Sequence, residues 1–513
     1  MIIYNQIECL IYYANAHLLL DELDSALVRN QILDEVGLED YIISEVDYNA
    51  IEELDCPCDL LEPVIQYAVD KGRIKEEEKE KLSNKIMSIL EKKPSEIVDL
   101  FTVQHKRNPQ KAMQWLYEYA IKSNYINKCK IAHNKHWEAK GTTGKIEVTI
   151  NILKPEFSIE QIKESSKTEI SENKYPLCNI CYENEGYAPH NKYNLRTIPI
   201  TLGGEEWFMQ FSPYNYFNQH IVAVNSHHTP MAINKHTLEK LFDFNDYLPH
   251  YFIGINSELI GTGGSNLIHE HFQGGYRQLP LILAKERRTF KCESHPLITI
   301  SEVDWYNTVI RATSLDRHRL VDFGAELIEK WRNYNDAECG LVAKTDEQHH
   351  SMSLCVRRDK QDNYVLEVVL RSNLASEEHP TGVFHSHANK HHIKKEAIGL
   401  IDSMGVFILP GRIESAMEEI KSYLTKAVKY NPEKLSSDMK QYIPLIDKLF
   451  EVQGNQKPTQ LEATLNIKDE INVMCEQMLM DTAVFKQDKN GREGLNRFFN
   501  HLGLIEKSSH KVD

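Results

Sequence analysis

The sequence predicts an α+β protein in which helices at both ends flank a mainly antiparallel sheet core. Three observations predict this class. Apolar residues recur at helical spacing over residues 1 to about 135, short β-branched runs between Gly, Asn and Pro turns follow from about 172, and helical spacing returns beyond about 412. Helices that sit at the ends of a strand-rich middle, without regular strand–helix alternation, are typical of α+β folds.

The helical signal at the N-terminal end is repeated in several segments. It is clear in "CLIYYANAHLLLDEL", "EKLSNKIMSILEKKPSEIVDLF" and "AMQWLYEYAIKSNYI". The highly charged "DKGRIKEEEKEKL" is typical of a solvated helix, with a partner site as the alternative. The alternating, β-branched "GKIEVTINILKPE" then predicts a strand within residues 144–156.

Short strands dominate the middle of the chain. The runs "QHIVAVNS", "YFIGIN", "YVLEVVLRS" and "GVFHSH" predict strands, and "TLEKLFDFNDYL" predicts a helix between two of them. The segments "ESAMEEIKSYLTKAV" and "LEATLNIKDEINVMCEQMLM" return to helical spacing at the C-terminal end.

Composition limits the class of protein. The chain has 513 residues, 59 Lys+Arg against 75 Asp+Glu and a net charge of −16, which argues against binding to nucleic acid or to an anionic membrane. Its apolar N-terminus lacks the basic region of a signal peptide, and no run reaches the roughly 18 apolar residues of a membrane span. Ten dispersed cysteines do not form a disulfide framework, so we expect a reduced, cytoplasmic protein.

Two histidine pairs share one spacing. His269-x-His271 follows His228, and His385-x-His387 follows His350, each at the end of a strand-like run. Two duplicated half-domains would explain this spacing.

The first pair lies in "GTGGSNLIHEHFQGG", residues 261–275. If "SNLIHEHFQ" is a strand, His269, His271 and Gln273 share one face and Glu270 lies on the other. These side chains either form a site or line a wet strand face. The preceding glycine turn could place N–H groups around phosphate oxygens, although such turns are also common before strands.

Cys178 and Cys181 form a Cys-x-x-Cys motif in "LCNICYENEG". The spacing suits two thiolate ligands of one zinc ion, but a redox pair or two unliganded buried cysteines are alternatives. His228 and His269 are the best candidates to complete a Cys2His2 site.

The second pair begins a basic cluster within an acidic protein. Such a cluster could hold a phosphate dianion, or it could be the solvated start of a helix. Its members are His385, His387, Lys390, His391, His392, Lys394 and Lys395.

Together these segments resemble the UDP-glucose–hexose-1-phosphate uridylyltransferases, and most closely the branch of that family found mainly in Gram-positive bacteria. The segments that carry the resemblance run in order from about 144 to 412. They are "GKIEVTINILKPE", "CNICYENEGYAP", "NLRTIPITLGGEEWFMQFSPYNYFNQHIVAVNSHHTPM", "LPHYFIGINSEL", "GGSNLIHEHFQGG" and "RSNLASEEHPTGVFHSHANKHHIKKEAIGLIDSMGVFILPGR".

The resemblance implies uridylyl transfer from UDP-glucose to galactose 1-phosphate by double displacement, with a histidine nucleophile. By position, His271 would be that nucleophile and Gln273 would bind an α-phosphoryl oxygen. The chemistry also needs the second ring N–H of His271 to be held by a backbone carbonyl. The implied nucleotide-sugar contacts are Asn256, Gly263, Gly264, Ser265 and Gln273, and the implied hexose-phosphate contacts are Lys394, Lys395 and Glu396.

The resemblance also implies metals. A structural zinc would be held by Cys178, Cys181, His228 and His269, with His227 competing with His228 for its place. A second divalent metal would be held by Glu286, His350, His385 and His387.

For the fold, the resemblance implies two histidine-triad-like halves with mainly antiparallel sheet. We expect a helical region at 1–140, a first half with the zinc site and nucleophile at 141–295, a second half with the hexose-phosphate site at 296–425, and C-terminal helices at 426–513. A homodimer that uses UDP-glucose, UDP-galactose and hexose 1-phosphates, without nucleic acid or membrane partners, is the expected assembly.

Three positions depart from the better-studied pattern. Glu270 stands where that branch has proline between its catalytic histidines, and Ser386 and Ala397 stand where Pro and Asn are expected. These changes leave the nucleophile in place and bear on the sugar-phosphate contacts.

Two other functions compete with this interpretation. One is a related nucleotidyltransferase or phosphorylase that uses the same histidine on an adenine dinucleotide. The other is a zinc-organised protein that binds nucleotide sugars without turnover, and only this alternative predicts that no covalent adduct forms.

Overall fold

The computed structural model describes residues 2–42, 44–156, 161–164 and 174–507. Contacts between Cα atoms divide the chain into two compact units, residues 1–133 with 170–228 and residues 134–169 with 229–513. This division is coarser than the four predicted regions, whose boundaries stay a prediction.

Fourteen strands lie within the described residues. They are β1 Lys135–Lys140, β2 Lys145–Asn151, β3 Ile198–Leu202, β4 Glu205–Phe211, β5 Ile221–Asn225, β6 Phe252–Ile255, β7 His271–Gly275, β8 Glu286–Cys292, β9 Thr299–Val303, β10 Val309–Ser314, β11 His350–Arg358, β12 Tyr364–Ser372, β13 Val406–Pro410 and β14 Leu504–Glu506.

The first unit begins with helices, as the sequence predicts. Asn108 shows how one of them starts, because its side chain accepts a hydrogen bond from Lys111 N and Pro109 occupies the first helical position. The helices are Ile2–His17, Ser25–Val36, Tyr48–Glu52, Cys58–Asp70, Lys79–Leu90, Pro94–Arg107, Pro109–Lys122 and Lys128–Ile131.

The strands of the first unit form an antiparallel series, in which β3 pairs with β4 and β4 with β5. Gly203 and Gly204 make the two-residue turn between β3 and β4, with φ values of +58° and +76°. Two consecutive positive φ values suit a tight hairpin and favour glycine at both positions.

The second unit contains the larger part of the sheet. Its strands follow the order β14-β8-β9-β10-β12-β11-β6-β7, and neighbouring strands in this order pair antiparallel. A separate sheet has the order β1-β2-β13, where β1 and β2 are antiparallel and β2 and β13 are parallel.

Two helices of the second unit, Lys235–Tyr247 and Arg317–Arg332, contact each other and β11. The remaining helices of this unit are Leu400–Ser403, Arg412–Leu424, Ser437–Lys440, Ile443–Gln453, Gln460–Thr482 and Lys489–His501. Helices at both ends and a mainly antiparallel sheet confirm the predicted α+β class.

Among the described residues, no helix combines the length and the apolar character that crossing a membrane requires.

Candidate active site

His271 is the first residue of β7 and is buried. Its ring Nδ1 lies 2.8 Å from the backbone carbonyl oxygen of His269. A carbonyl oxygen only accepts hydrogen bonds, so Nδ1 carries the hydrogen and Nε2 carries the lone pair. The backbone contact that a histidine nucleophile needs is therefore present.

The strand that holds His271 is shorter than predicted. The predicted strand covers Ser265–Gln273, but β7 begins at His271. Its pairing with β6 ends at Gly254 opposite Gln273, while Glu270 N–H bonds to the carbonyl of Thr229 at 2.6 Å. The one-face prediction therefore holds for His271 and Gln273, whereas His269 and Glu270 precede the ladder.

Glu270 lies between the two histidines and is held by a buried ion pair. Lys240, from helix Lys235–Tyr247, places Nζ 2.9 Å and 3.1 Å from the two carboxylate oxygens of Glu270. Both side chains are about 95% buried, with relative exposures of 6% and 5%. The pair holds the residue directly before His271 to a neighbouring helix.

The glycine turn before His269 packs against another backbone segment. Gly263 has φ +122°, and a Cβ atom there would lie 2.6 Å from the carbonyl oxygen of Ile398 and 2.7 Å from Gly399 Cα. Asn256 Oδ1 accepts a hydrogen bond from Leu400 N at 2.7 Å. The turn needs glycine for this close approach, independently of any phosphate.

The other predicted nucleotide contacts differ in exposure. Ser265 is exposed and Gln273 is half-buried, so both are open to a ligand, whereas Gly264 is buried. A Cβ atom at Gly264 would lie 2.5 Å from the Leu267 side chain.

The predicted Cys-x-x-Cys motif forms a compact group in the first unit. The Sγ atoms of Cys178 and Cys181 lie 3.5 Å apart, and both side chains are buried. His228 offers a ring nitrogen within 4.8 Å of both sulfurs. Two buried thiols and an imidazole are a donor set that suits zinc, and His227 is exposed and outside this group.

The predicted hexose-phosphate residues form an internal charge network in the second unit. Lys394 is buried, with Nζ 3.3 Å from Glu396 and 3.4 Å from Asp402. Burial opposes its charge, but Asp402 and Glu396 outweigh burial and raise the pKa of Lys394. Lys154 also forms an ion pair with Glu396, and only Lys395 of the predicted residues is exposed.

The predicted second metal site stays a prediction. Glu286 is exposed and lies 3.8 Å from Arg311. In the part of the chain that the structure describes, neither Cys/His group with ligand atoms within 4.8 Å contains Glu286, His350, His385 or His387.

The three histidines of that prediction make different closest contacts. His350 is buried and stacks on Trp331 with ring centroids 4.4 Å apart, and burial lowers its pKa to about 4. His385 Nδ1 lies 2.7 Å from Ser386 O. His387 Nδ1 lies 3.5 Å from Asp481.

Lys240 was not anticipated as a site residue, although the sequence carries a signal for it. Thr237, Lys240, Leu241 and Phe244 follow the i, i+3, i+4, i+7 pattern of one helix face, and all are buried. A lysine on an otherwise apolar helix face requires a buried partner.

Comparisons with known proteins identify the family. The model for the N-terminal domain of galactose-1-phosphate uridyl transferase matches residues 19–195, and the model for its C-terminal domain matches 243–438. The second range contains both histidine pairs. No solved structure gives a match.

Curated relatives match almost end to end. A galactose-1-phosphate uridylyltransferase of Caldanaerobacter subterraneus subsp. tengcongensis is 34% identical over 98% of this chain and 98% of its own length. Proteins of the same name from Fusobacterium nucleatum and Bacillus subtilis are 34% and 33% identical, over 96% and 98% of this chain and 98% of their own lengths. The chain therefore belongs to the galactose-1-phosphate uridylyltransferase family.

Proposed function

We propose that this protein transfers the uridylyl group of UDP-glucose to galactose 1-phosphate, producing glucose 1-phosphate and UDP-galactose. The names of the relatives that match almost end to end support this reaction. The observation that carries the mechanism is the contact of His271 Nδ1 with the His269 carbonyl, because it sets the tautomer of a nucleophile.

In the first step, Nε2 of His271 attacks the α-phosphorus of UDP-glucose. A P–N bond forms, the bond from the α-phosphorus to the bridging oxygen breaks, and glucose 1-phosphate leaves with the electron pair. The Nδ1 hydrogen remains on the ring, where its bond to the carbonyl stabilises the positive charge that develops on the imidazole.

In the second step, a phosphate oxygen of galactose 1-phosphate attacks the same phosphorus. The P–N bond breaks and Nε2 of His271 recovers its lone pair. Imidazole suits this exchange because its nitrogen is both a good nucleophile near pH 7 and a good leaving group. Positioning and charge stabilisation carry the remainder of the rate enhancement.

The proposed nucleotide contacts all lie in the second unit. Gln273 shares the strand face of His271, which favours contact with an α-phosphoryl oxygen. Asn256 uses its amide oxygen on Leu400 N, so it would offer its NH2 group to a phosphate. Ser265 and the N–H groups beside Gly263 would complete these contacts.

For the hexose phosphate, the exposed Lys395 is the proposed direct contact. Lys394 and Glu396 belong to the buried network below it, so their proposed role is to hold the segment in place.

We assign the proposed zinc to Cys178, Cys181, His228 and His269. His228 is bonded to Thr229, whose carbonyl accepts the N–H of Glu270, the residue after His269. That connection supports His269 as the fourth ligand. When bound, zinc would supply a structural cross-link that fixes the backbone two residues before the nucleophile.

Intact-protein mass spectrometry after mixing with UDP-glucose alone tests the proposal. We expect a mass gain of one uridylyl group in the natural protein and none in His271→Ala. His318→Ala, which removes an exposed histidine of the same unit, serves as the matched control and should gain the group.

Folded, zinc-loaded protein that gains no mass would contradict the covalent mechanism. A parallel mixture with an adenine dinucleotide distinguishes the two candidate substrates. If the protein gains an adenylyl group there and no uridylyl group from UDP-glucose, the proposed substrate is wrong.

A further inference from the structure

Three cysteines converge in the first unit, far along the chain from the Cys-x-x-Cys motif. Cys56 and Cys58 flank Pro57 where helix Cys58–Asp70 begins, and Cys129 lies in the short helix Lys128–Ile131. Their three Sγ atoms lie within 4.8 Å of one another. The structure joins Cys58 and Cys129 as a disulfide, and Cys56 Sγ lies 3.6 Å from Cys129 Sγ.

A disulfide needs two sulfur atoms, so the position of the third thiol calls for its own explanation. Thiolates bound at about 2.3 Å to a tetrahedral cation lie roughly 3.8 Å from each other. The separation of 3.6 Å between Cys56 and Cys129 is close to that value. The group therefore resembles the sulfur face of a metal site.

Positive charge next to the cluster favours thiolates. Cys58 is the first residue of a 13-residue helix, whose N-terminal end carries a partial positive charge. Lys128 precedes Cys129 directly, and its Nζ lies 2.8 Å from Asp55, the residue before Cys56. The Lys128–Asp55 pair has no net charge, so the helix end is the feature that lowers the cost of negative sulfurs here.

We propose that Cys56, Cys58 and Cys129 of the reduced protein bind one thiophilic d10 cation, of the class of Zn²⁺ or Cu⁺, through three thiolates. None of the three side chains is buried, so water can reach a fourth position. The site shares no residue with the group of Cys178, Cys181 and His228.

The bound cation and the disulfide exclude each other, because both use Cys58 and Cys129. Reduction of the disulfide takes two electrons and two protons from a thiol reductant, which becomes a disulfide itself. Three thiols then result, and each loses its proton when the cation binds.

Metal content measured after dialysis against Zn²⁺ under a thiol reductant tests this site in the full-length protein. We expect one equivalent fewer in Cys56→Ser and in Cys129→Ser than in the natural protein. Cys339→Ser, which removes a partly exposed thiol of the second unit, is the matched control and should change nothing. A second dialysis against Cu⁺ identifies the preferred ion, and retention of either ion supports the site.

A second measurement needs no substitution. In the reduced natural protein, added Zn²⁺ should slow the alkylation of Cys56 and Cys129 by about tenfold or more, because a metal-bound thiolate is a poor nucleophile. The proposal is overturned if neither ion lowers this rate, or if both serine variants, shown to be folded, keep the full metal content.

Discussion

The two His-x-His pairs of the second unit have the same spacing and different surroundings. His271 starts a strand of the sheet, and the residue between it and His269 is an acid held by Lys240. His385 and His387 lie outside the described strands, with Ser386 between them. The comparison teaches that the spacing alone does not assign a role, since the neighbours of each pair determine what it can do.

The largest expected difference concerns catalysis. His271→Ala should lower kcat by about four orders of magnitude or more, because it removes the atom proposed to form the covalent bond. His387→Ala should lower kcat by less than about tenfold, since its ring contacts Asp481 and stacks on His379. Release of glucose 1-phosphate by both purified variants measures this, and equal losses would remove the distinction between the pairs.

The next effect concerns the acid of the first pair. Glu270→Gln should destabilise the protein by about 3–5 kcal/mol, because it leaves the buried charge of Lys240 without its carboxylate. Lys235→Met removes an exposed ion pair from the same helix and should cost less than about 1 kcal/mol. Urea unfolding of both variants gives the two values.

A double variant sharpens that result. Lys240→Met combined with Glu270→Met should be more stable than Glu270→Gln alone, since two apolar groups replace a buried ion pair. If Glu270→Gln lowers the free energy of unfolding by no more than Lys235→Met does, the Lys240–Glu270 pair does not hold the residue before His271 in place.

A third effect belongs to the segment of the second pair. Burial lowers the pKa of His392 from its ordinary value of 6.5 to about 4. In the folded state this side chain therefore takes up a proton only well below pH 6.5. The contribution of His392 to the free energy of unfolding is fully present above pH 6.5. It falls by roughly 3 kcal/mol in total as the pH drops toward 4. Urea midpoints measured from pH 7 to pH 4 should fall less steeply in His392→Gln, and an unchanged slope would contradict this origin.

The smallest expected effect is on metal content. His387→Ala should leave the bound metal unchanged, because no group of three or more ligand atoms within 4.8 Å among the described residues contains His387. Cys181→Ser should lose one equivalent. Elemental analysis of both variants checks this, and loss of metal from His387→Ala would restore the second site.

Local patterns predicted part of this structure. The helical ends follow from apolar spacing, and the shared face of His271 and Gln273 follows from the strand period of two. The residue at which β7 starts could not be predicted from its own sequence, because it depends on how far the pairing strand β6, only four residues long, extends. A sequence pattern does not contain the length of a partner strand.

Long-range pairs explain the other differences. Glu270 forms an ion pair with Lys240, 30 residues away in the sequence, and Glu396 forms one with Lys154, 242 residues away. The resemblance places Lys394 and Glu396 where the family contacts the hexose phosphate. Only the fold places them in a buried network with Asp402.

The contact of Gly263 with Ile398 and Gly399 has a mechanical consequence. The turn that leads to His271 lies directly against the backbone that follows Lys394, without side chains between them to absorb a displacement. A shift of one segment must then be transmitted to the other. We therefore expect the two loops to change shape together, and an insertion in either to disturb both proposed substrate contacts at once.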